Sequence, residues 1–347
     1  MKVFADIRPK RLAEVPDAVR RMEAMGFDGV SFAEFTVPPT LSSLLAAEHS
    51  SNLKIMTGVF IAFPRSPMAT AYDAWNLHDI SRGRFILGLG PQTKGHLTRR
   101  WGMEFLPPAP RMRDYILALR AIFACMQEGT PLSYDGRYYR FDRMTPAFDP
   151  GPNPYGLVPI YIAGINEHMC RVAGEVCDGH IAADPVTEKF THEVILPNLE
   201  EGARRGDRSV KDLDISGGGF IGCGATQEDL QVVREKVRAR IAFYASTPTY
   251  GSVLDLHGWG EIVPILHDMS LRGEWEKMPS LITDVMLEHY AVIGTPQELP
   301  QLLKRRYDGY ATRLHLYQDW FVGVTDQQLA DLVRGIKAIS REKGHPC

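Results

Sequence analysis

The stretch Ile80-Ser81-Arg82-Gly83-Arg84-Phe85-Ile86-Leu87-Gly88-Leu89-Gly90-Pro91 decides the fold. Its first half reads as a helix stop, in which polar residues run into a glycine able to take the left-handed conformation of a helix end. Its second half, Phe85 to Gly90, is an unbroken apolar run without alternation, the mark of a strand buried on both faces. The same joint recurs at Met25-Gly26-Phe27-Asp28-Gly29-Val30, Cys177-Asp178-Gly179-His180 and Tyr307-Asp308-Gly309-Tyr310. The segments before these joints carry one apolar stripe each. Leu12, Val15, Val19, Met22 and Met25 fall three or four apart, as do Ile116, Leu119, Phe123 and Met126 after the charged turn Arg111-Met112-Arg113-Asp114.

Eight strand-like runs emerge: Val3-Ile7, Gly29-Ala33, Lys54-Phe60, Phe85-Gly90, Pro159-Gly164, Gly179-Ala183, Leu213-Ile221 and Arg313-Tyr317. Eight strands alternating with helices imply an α/β chain folded as a (β/α)8 TIM barrel. An open doubly wound sheet is the weaker reading, because the turn after the first strand, Ile7-Arg8-Pro9-Lys10-Arg11, lacks the glycines of a dinucleotide fingerprint. The one formal GxGxxG, at Gly217, Gly219 and Gly222, lies inside a strand run and reads as close backbone approach at the barrel rim. A single domain over residues 1–347 is expected. Insertions after strands 4 and 7, about 131–158 (a hairpin and loop) and 245–290, are expected to build the walls of a site.

Composition narrows the function. The 347 residues are 44% hydrophobic and 23% charged, which supports a large core. A formal charge of −3 gives no field for nucleic acid. No run is long enough to span a membrane and no signal-peptide core opens the chain, so the expected location is the cytoplasm. Five cysteines without a CxxC pair fit reduced thiols, and no HExxH or dense His/Asp cluster suggests a metal. GxSxG and GxxxxGK[ST] are absent, which removes the usual supports of serine acyl transfer and nucleotide hydrolysis.

In a barrel, chemistry sits at the C-terminal ends of strands. These ends carry Asp6, Glu34, Gly58-Val59, Gly90-Pro91-Gln92-Thr93, Gly164-Ile165-Asn166, Asp184 and Gln318-Asp319.

Ala47 to Val59, Phe63-Pro64-Arg65-Ser66-Pro67-Met68-Ala69 and Ile80 to Gly90 resemble the core of the luciferase-like oxidoreductases, and the S-x-GRF-x-LG-x-G run is the most specific part. The likeness continues through Trp101-Gly102-Met103, Arg111 to Tyr115, Pro159 to Gly164 and Ala173 to Gly179. Tyr244 to Tyr250 and His257 to Glu261 are most similar to actinobacterial members described as coenzyme F420-dependent. The resemblance implies an oxidoreductase transferring hydride between coenzyme F420 and a small organic substrate. Two alternatives stay open: an FMN-dependent monooxygenase using reduced flavin and O2, and a non-catalytic flavin-binding relative.

The family frame suggests roles. A flat ring needs a platform that bulges from a strand end, and Gly58-Val59 is placed there, at a point that in the family is often a non-prolyl cis peptide. Gly90, Pro91, Gln92, Thr93 and Lys94 join the cofactor-binding set. Lys94, His96, Arg99 and Arg100, with Arg65, form a basic rim suited to a phosphate and polyglutamate tail. Gly164, Ile165 and Asn166 lead into a helix whose N-terminus suits a phosphate. Glu34 matches the family's acidic position near the ring, although Phe35 stands where some relatives have histidine, and Asp6 is the second candidate acid or base. Tyr250, His257 and Trp259 are candidate substrate-lining residues. Expected partners are a small-molecule substrate, with no nucleic acid and no membrane; a homodimer stays open, as does a separate flavin reductase in the FMN case.

Overall fold

The computed structural model describes residues 1–339. Eight parallel strands form the barrel: β1 (Lys2–Ile7), β2 (Gly29–Phe32), β3 (Lys54–Thr57), β4 (Phe85–Gly90), β5 (Ile160–Ala163), β6 (Gly179–Ile181), β7 (Asp214–Ile215) and β8 (Arg313–Tyr317). They pair in chain order from β1 to β7, and β8 pairs with β1. One Ser216–Arg313 bridge completes the ring between β7 and β8, flanked by Thr312 N–H to Ile215 C=O and Gly217 N–H to Arg313 C=O, both 2.8 Å. This is the TIM barrel expected from the joints.

Three of the four glycine joints take left-handed backbone, at Gly26, Gly83 and Gly309 (φ 81°, 74° and 89°). The fourth differs: Cys177 ends its helix in extended backbone, and Gly179 opens β6 where a Cβ would meet the Tyr161 ring and the Asp214 carbonyl. Two of the three Asp-Gly joints share another device. Asp28 Oδ2 accepts from Val3 N–H (2.8 Å) and Asp178 Oδ2 from Ile160 N–H (2.7 Å), so each carboxylate fixes the start of a neighbouring strand.

Two expected strands break. Leu213–Ile221 splits into β7 and Phe220–Gly224, which lies between Ala291–Gly294 and Phe321–Val322 in a separate parallel sheet. Gly217-Gly218-Gly219 makes the break, with Gly219 at φ 94°. Lys54–Phe60 is interrupted at Gly58-Val59. Between the pairs Met56–Ile86 and Phe60–Leu89, three residues of one strand oppose two of the other, a bulge. The Thr57 hydroxyl bridges the gap by donating to Gly88 C=O (2.8 Å) and accepting from Gly88 N–H (2.9 Å).

The helical stripes are buried as expected, with Val15, Val19 and Met22 in the helix Val15–Ala24 and Ile116, Leu119, Phe123 and Met126 in Pro108–Glu128. The turn expected at Arg111–Asp114 lies inside the latter helix. Asp114 is buried and accepts from Tyr138 N–H (2.6 Å) and Tyr139 N–H (3.1 Å), which pins the hairpin Tyr134–Asp135/Arg140–Phe141 to that helix. The second insertion is helical, with Gly251–Leu256, Ile262–Leu271 and Asp284–Tyr290. Cys125, Cys170, Cys177 and Cys223 are buried free thiols, and Cys347 lies outside the described residues. No described helix is long and apolar enough to cross a membrane.

Inside the barrel, side chains alternate along β8. Leu314 and Leu316 pack outward into the main core, while Arg313, His315 and Tyr317 point inward. Phe4, Met56, Ile86, Tyr161 and Ile181 fill the interior. Below them Arg313 is fully buried, its guanidinium 4.7 Å from the Phe4 ring and 4.9 Å from the Tyr161 ring, with Nη2 3.2 Å from Asp214 Oδ1. Tyr161 donates to the other Asp214 oxygen at 3.0 Å.

Candidate active site

A cavity of about 220 Å³ opens above this plug at the C-terminal ends of the strands, and all eight contribute through their ends or the residues just after them. Its floor is the bulge. The Gly58–Val59 peptide bond is cis, as the family resemblance implies. A Cβ at Gly58 would run into the Ser31 hydroxyl, and one at Gly90 would meet Val59 Cγ2 at 2.6 Å. The two glycines let Val59 lie flat between neighbouring strands and offer an apolar surface to the cavity.

Of the residues expected to form the site, Asp6, Glu34, Gly58, Val59, Gln92 and Tyr250 line this cavity. Gly90 supports Val59 from behind. Gln92 has φ 65°, and its side chain accepts from Thr93 N–H at 2.8 Å, which turns the chain into the short helix Lys94–Arg99. Lys94, His96, Arg99 and Arg100 are exposed there, and none of them has an acidic partner among the described residues. Arg100 reaches the Phe35 carbonyl (3.0 Å), and Phe35 lines the cavity mouth. Arg65 does not join this rim. It is spent on Glu34, with Nη2 to Oε1 at 2.6 Å and Nη1 to Oε2 at 3.2 Å.

Glu34 is thereby a clamp as well as a lining residue. Its Oε2 also accepts from Ile61 N–H (2.8 Å), holding the strand that resumes after the bulge, and its side chain is only 6% exposed. Gly164, Ile165 and Asn166 do not line the cavity. Asn166 caps the helix Glu167–Val176 through Met169 N–H (2.9 Å), and His180 pairs with the Gly164 carbonyl (2.7 Å). His257 and Trp259 are also elsewhere. They stack at 4.4 Å beside His289, and His257 pairs with the Thr187 hydroxyl (2.8 Å), which ties the second insertion to the segment after β6. The first insertion contributes no lining residue.

The cavity also holds Arg8 and His315, which the sequence reading did not single out, together with Asp184, which it placed at a strand end. Arg8 lies between two aromatic rings, 4.0 Å from the Tyr317 centroid and 4.9 Å from Phe35. Asp184 accepts from Tyr244 O–H at 3.2 Å. Burial pushes its carboxyl up to about 6, against the pull of Arg8 and with a push from Asp6. His315 Nδ1 lies 2.9 Å from Asp6 Oδ1. The available signal was the alternation Arg313-Leu314-His315-Leu316-Tyr317, which puts three polar side chains on the barrel's inner face.

The site suits a flat, mostly apolar ring. Val59 offers a surface that glycine neighbours leave unobstructed, and polar groups border it. Acidic, basic and phenolic groups within one small cavity can hold a proton in more than one place.

The comparisons agree with this geometry. Residues 2–313 match the family model described as luciferase-like monooxygenase. An uncharacterized protein of Mycobacterium tuberculosis is 41% identical over 306 residues, covering 88% of this chain and 90% of that one. The 5,10-methylenetetrahydromethanopterin reductase of Archaeoglobus fulgidus is 27% identical over 290 residues, covering 81% and 82%. Among solved structures, the coenzyme F420-dependent tetrahydromethanopterin reductase of Methanopyrus kandleri superposes with a TM-score of 0.80 at 20% identity, covering 97% and 98%. The FMN-bound oxygenating constituent of 3,6-diketocamphane monooxygenase from Pseudomonas putida reaches 0.66 at 15% identity, covering 97% and 98%. The barrel, its bulged floor and the match over most of its length lead to one conclusion: the chain belongs to the luciferase-like monooxygenase family.

Proposed function

We propose that this protein is an oxidoreductase that transfers hydride between coenzyme F420 and a small organic substrate. The carrying observation is the pairing of an apolar floor at Gly58-Val59 with an adjacent run of basic side chains, Lys94, His96, Arg99 and Arg100, that has no acidic partner among the described residues. A ring needs the first, and a long anionic tail needs the second. The likeness to a methylenetetrahydromethanopterin reductase supports a reductase rather than an oxygenase.

In this reading Val59 backs the ring, and Gly90, Pro91, Gln92 and Thr93 shape the wall leading to Lys94. Gly164, Ile165 and Asn166 sit just past Ala163, itself a lining residue, and lead into the helix whose N-terminus would face a phosphate. A bound deazaflavin supplies a two-electron carrier. Tyr244, Tyr250 and Tyr317 then keep the reacting region dry, and Asp6 and Asp184 border it.

Titration with F420 and with FMN tests the reading. F420 should bind, and more weakly at 1 M salt, where screening shortens to ~3 Å. Replacing Lys94 and Arg99 with glutamine should weaken polyglutamylated F420 several-fold more than a deazaflavin lacking the tail. Equal losses would remove the cations from the tail site. FMN binding without F420 binding would move the protein to the monooxygenase branch, and F420 binding without turnover of any substrate would make it a carrier.

A further inference from the structure

His315 sits on β8 with its side chain 13% exposed, and its Nδ1 is held by the Asp6 carboxylate at 2.9 Å. Its other nitrogen, Nε2, is buried and finds no hydrogen-bond partner among the described residues, although the ring lines the cavity. A buried polar atom left unsatisfied is costly, and here it faces the cavity, where a ligand can reach it. The carboxylate fixes the arrangement: Asp6 accepts from Nδ1–H, which leaves Nε2 to gain or lose the proton. The surrounding charges are Asp6 and Arg8 from the end of β1, Asp184 after β6, and Arg313 below on the same strand. Glu34 also borders the cavity, neutralised by Arg65.

We infer that His315, oriented by Asp6, is the proton-handling residue of this site, and that the reacting carbon of the substrate bears the oxygen or nitrogen that exchanges this proton. The inference rests on the hydride-transfer reading above. In the oxidative direction the carbon's C–H bond breaks and its electron pair leaves as hydride to the bound deazaflavin. The O–H or N–H proton passes to His315 Nε2, and a C=O or C=N bond forms. The reductive direction returns both. Asp6 is a positioning residue that holds the ring by its Nδ1. The site therefore takes alcohols and ketones, or amines and imines, rather than carbons lacking a heteroatom.

Two measurements decide it. In imidazole NMR of the full chain without cofactor, neutral His315 should carry its proton on Nδ1, and Asp6→Asn should release that preference. A proton resident on Nε2, or a tautomer indifferent to Asp6→Asn, overturns the inference. In the F420-loaded protein, a panel of secondary alcohols, ketones, amines and imines is screened for turnover. His315→Gln should cut turnover by roughly 100-fold or more and flatten the pH profile while F420 still binds, and Asp6→Asn should lower turnover less than His315→Gln does. Unchanged turnover in His315→Gln, or a wild type that binds F420 yet turns over none of the panel, overturns it. Failure of the wild type to bind F420 instead removes the proposed function, and the NMR result is read separately.

Discussion

At the N-terminal end of the barrel, Arg313 is shut between Phe4 and Tyr161 with its charge met by Asp214, and Asp214 is further served by Tyr161 and the Thr312 hydroxyl. At the C-terminal end, Arg8 lies between Tyr317 and Phe35 with no carboxylate in ion-pair contact among the described residues, while Asp184 is buried against a phenol and His315 keeps a bare nitrogen. The side-chain types are the same, and both ends keep bare nitrogens, Arg313 Nε at one and His315 Nε2 at the other. The difference is ion pairing: Arg313 has a carboxylate within 3.2 Å, and Arg8 has none in ion-pair contact among the described residues.

The contrast is tested most severely by removing each arginine. Arg313→Ala strands Asp214 in the interior and should cost about 3–5 kcal/mol in denaturant-induced unfolding. Arg8→Ala should cost less than about 1 kcal/mol. Similar losses at the two positions would dissolve the distinction between the ends.

Gly58→Leu should separate site from scaffold. The side chain would press on Ser31 and occupy the cavity floor, so F420 affinity should fall by roughly 100-fold, about 2.7 kcal/mol, with the circular dichroism spectrum retained. Unchanged affinity would remove the bulge from the binding surface.

The carboxylates sharpen the comparison by sign. Asp184 is raised by burial to about 6 in the folded chain, so the folded state holds its proton longer than the unfolded state does. Stability falls as pH rises from about 4 to 6, and Asp184→Asn should melt a few degrees higher than wild type at pH 8, with no gain at pH 4. Burial also pushes Asp214 up, but Arg313, Thr312 and Lys2 outweigh it and hold it below the ordinary carboxylate value. Its stabilisation is present at neutral pH and fades as acid protonates it. Melting curves against pH for the two asparagine variants check both signs, and parallel curves would contradict the assignment.

Much of the barrel was legible because its signals are local. Glycine joints and unbroken apolar runs each occupy a few residues, and Gly58-Val59 stood out as a glycine at a strand end. What escaped depends on closure. Asp6 and His315 are 309 positions apart and meet only because β8 pairs with β1. The end of β7 was hidden because Leu213 to Ile221 keeps an apolar character through the three glycines that divert it to another sheet. His257 and Trp259 carry aromatic character that sequence alone cannot separate from substrate lining, and their stacking on each other beside His289 spends it on packing.

Between β7 and β8 the backbone is joined by a single bridge and two flanking hydrogen bonds, and β7 is only two residues long. Its N-terminal side is tied further by side chains, with the Thr312 hydroxyl accepting from Ile215 N–H (2.9 Å) and Arg313 paired with Asp214 (3.2 Å). The C-terminal side of the seam is therefore the natural place for the barrel to breathe, and the amide of Gly217 should exchange with deuterium ahead of that of Thr312 and of those in β1 to β4. Because His315 and Tyr317 ride on the strand beside the seam, that loosening reaches the cavity wall first, and a ligand gripping both sides would act as a clasp that slows exchange along β8.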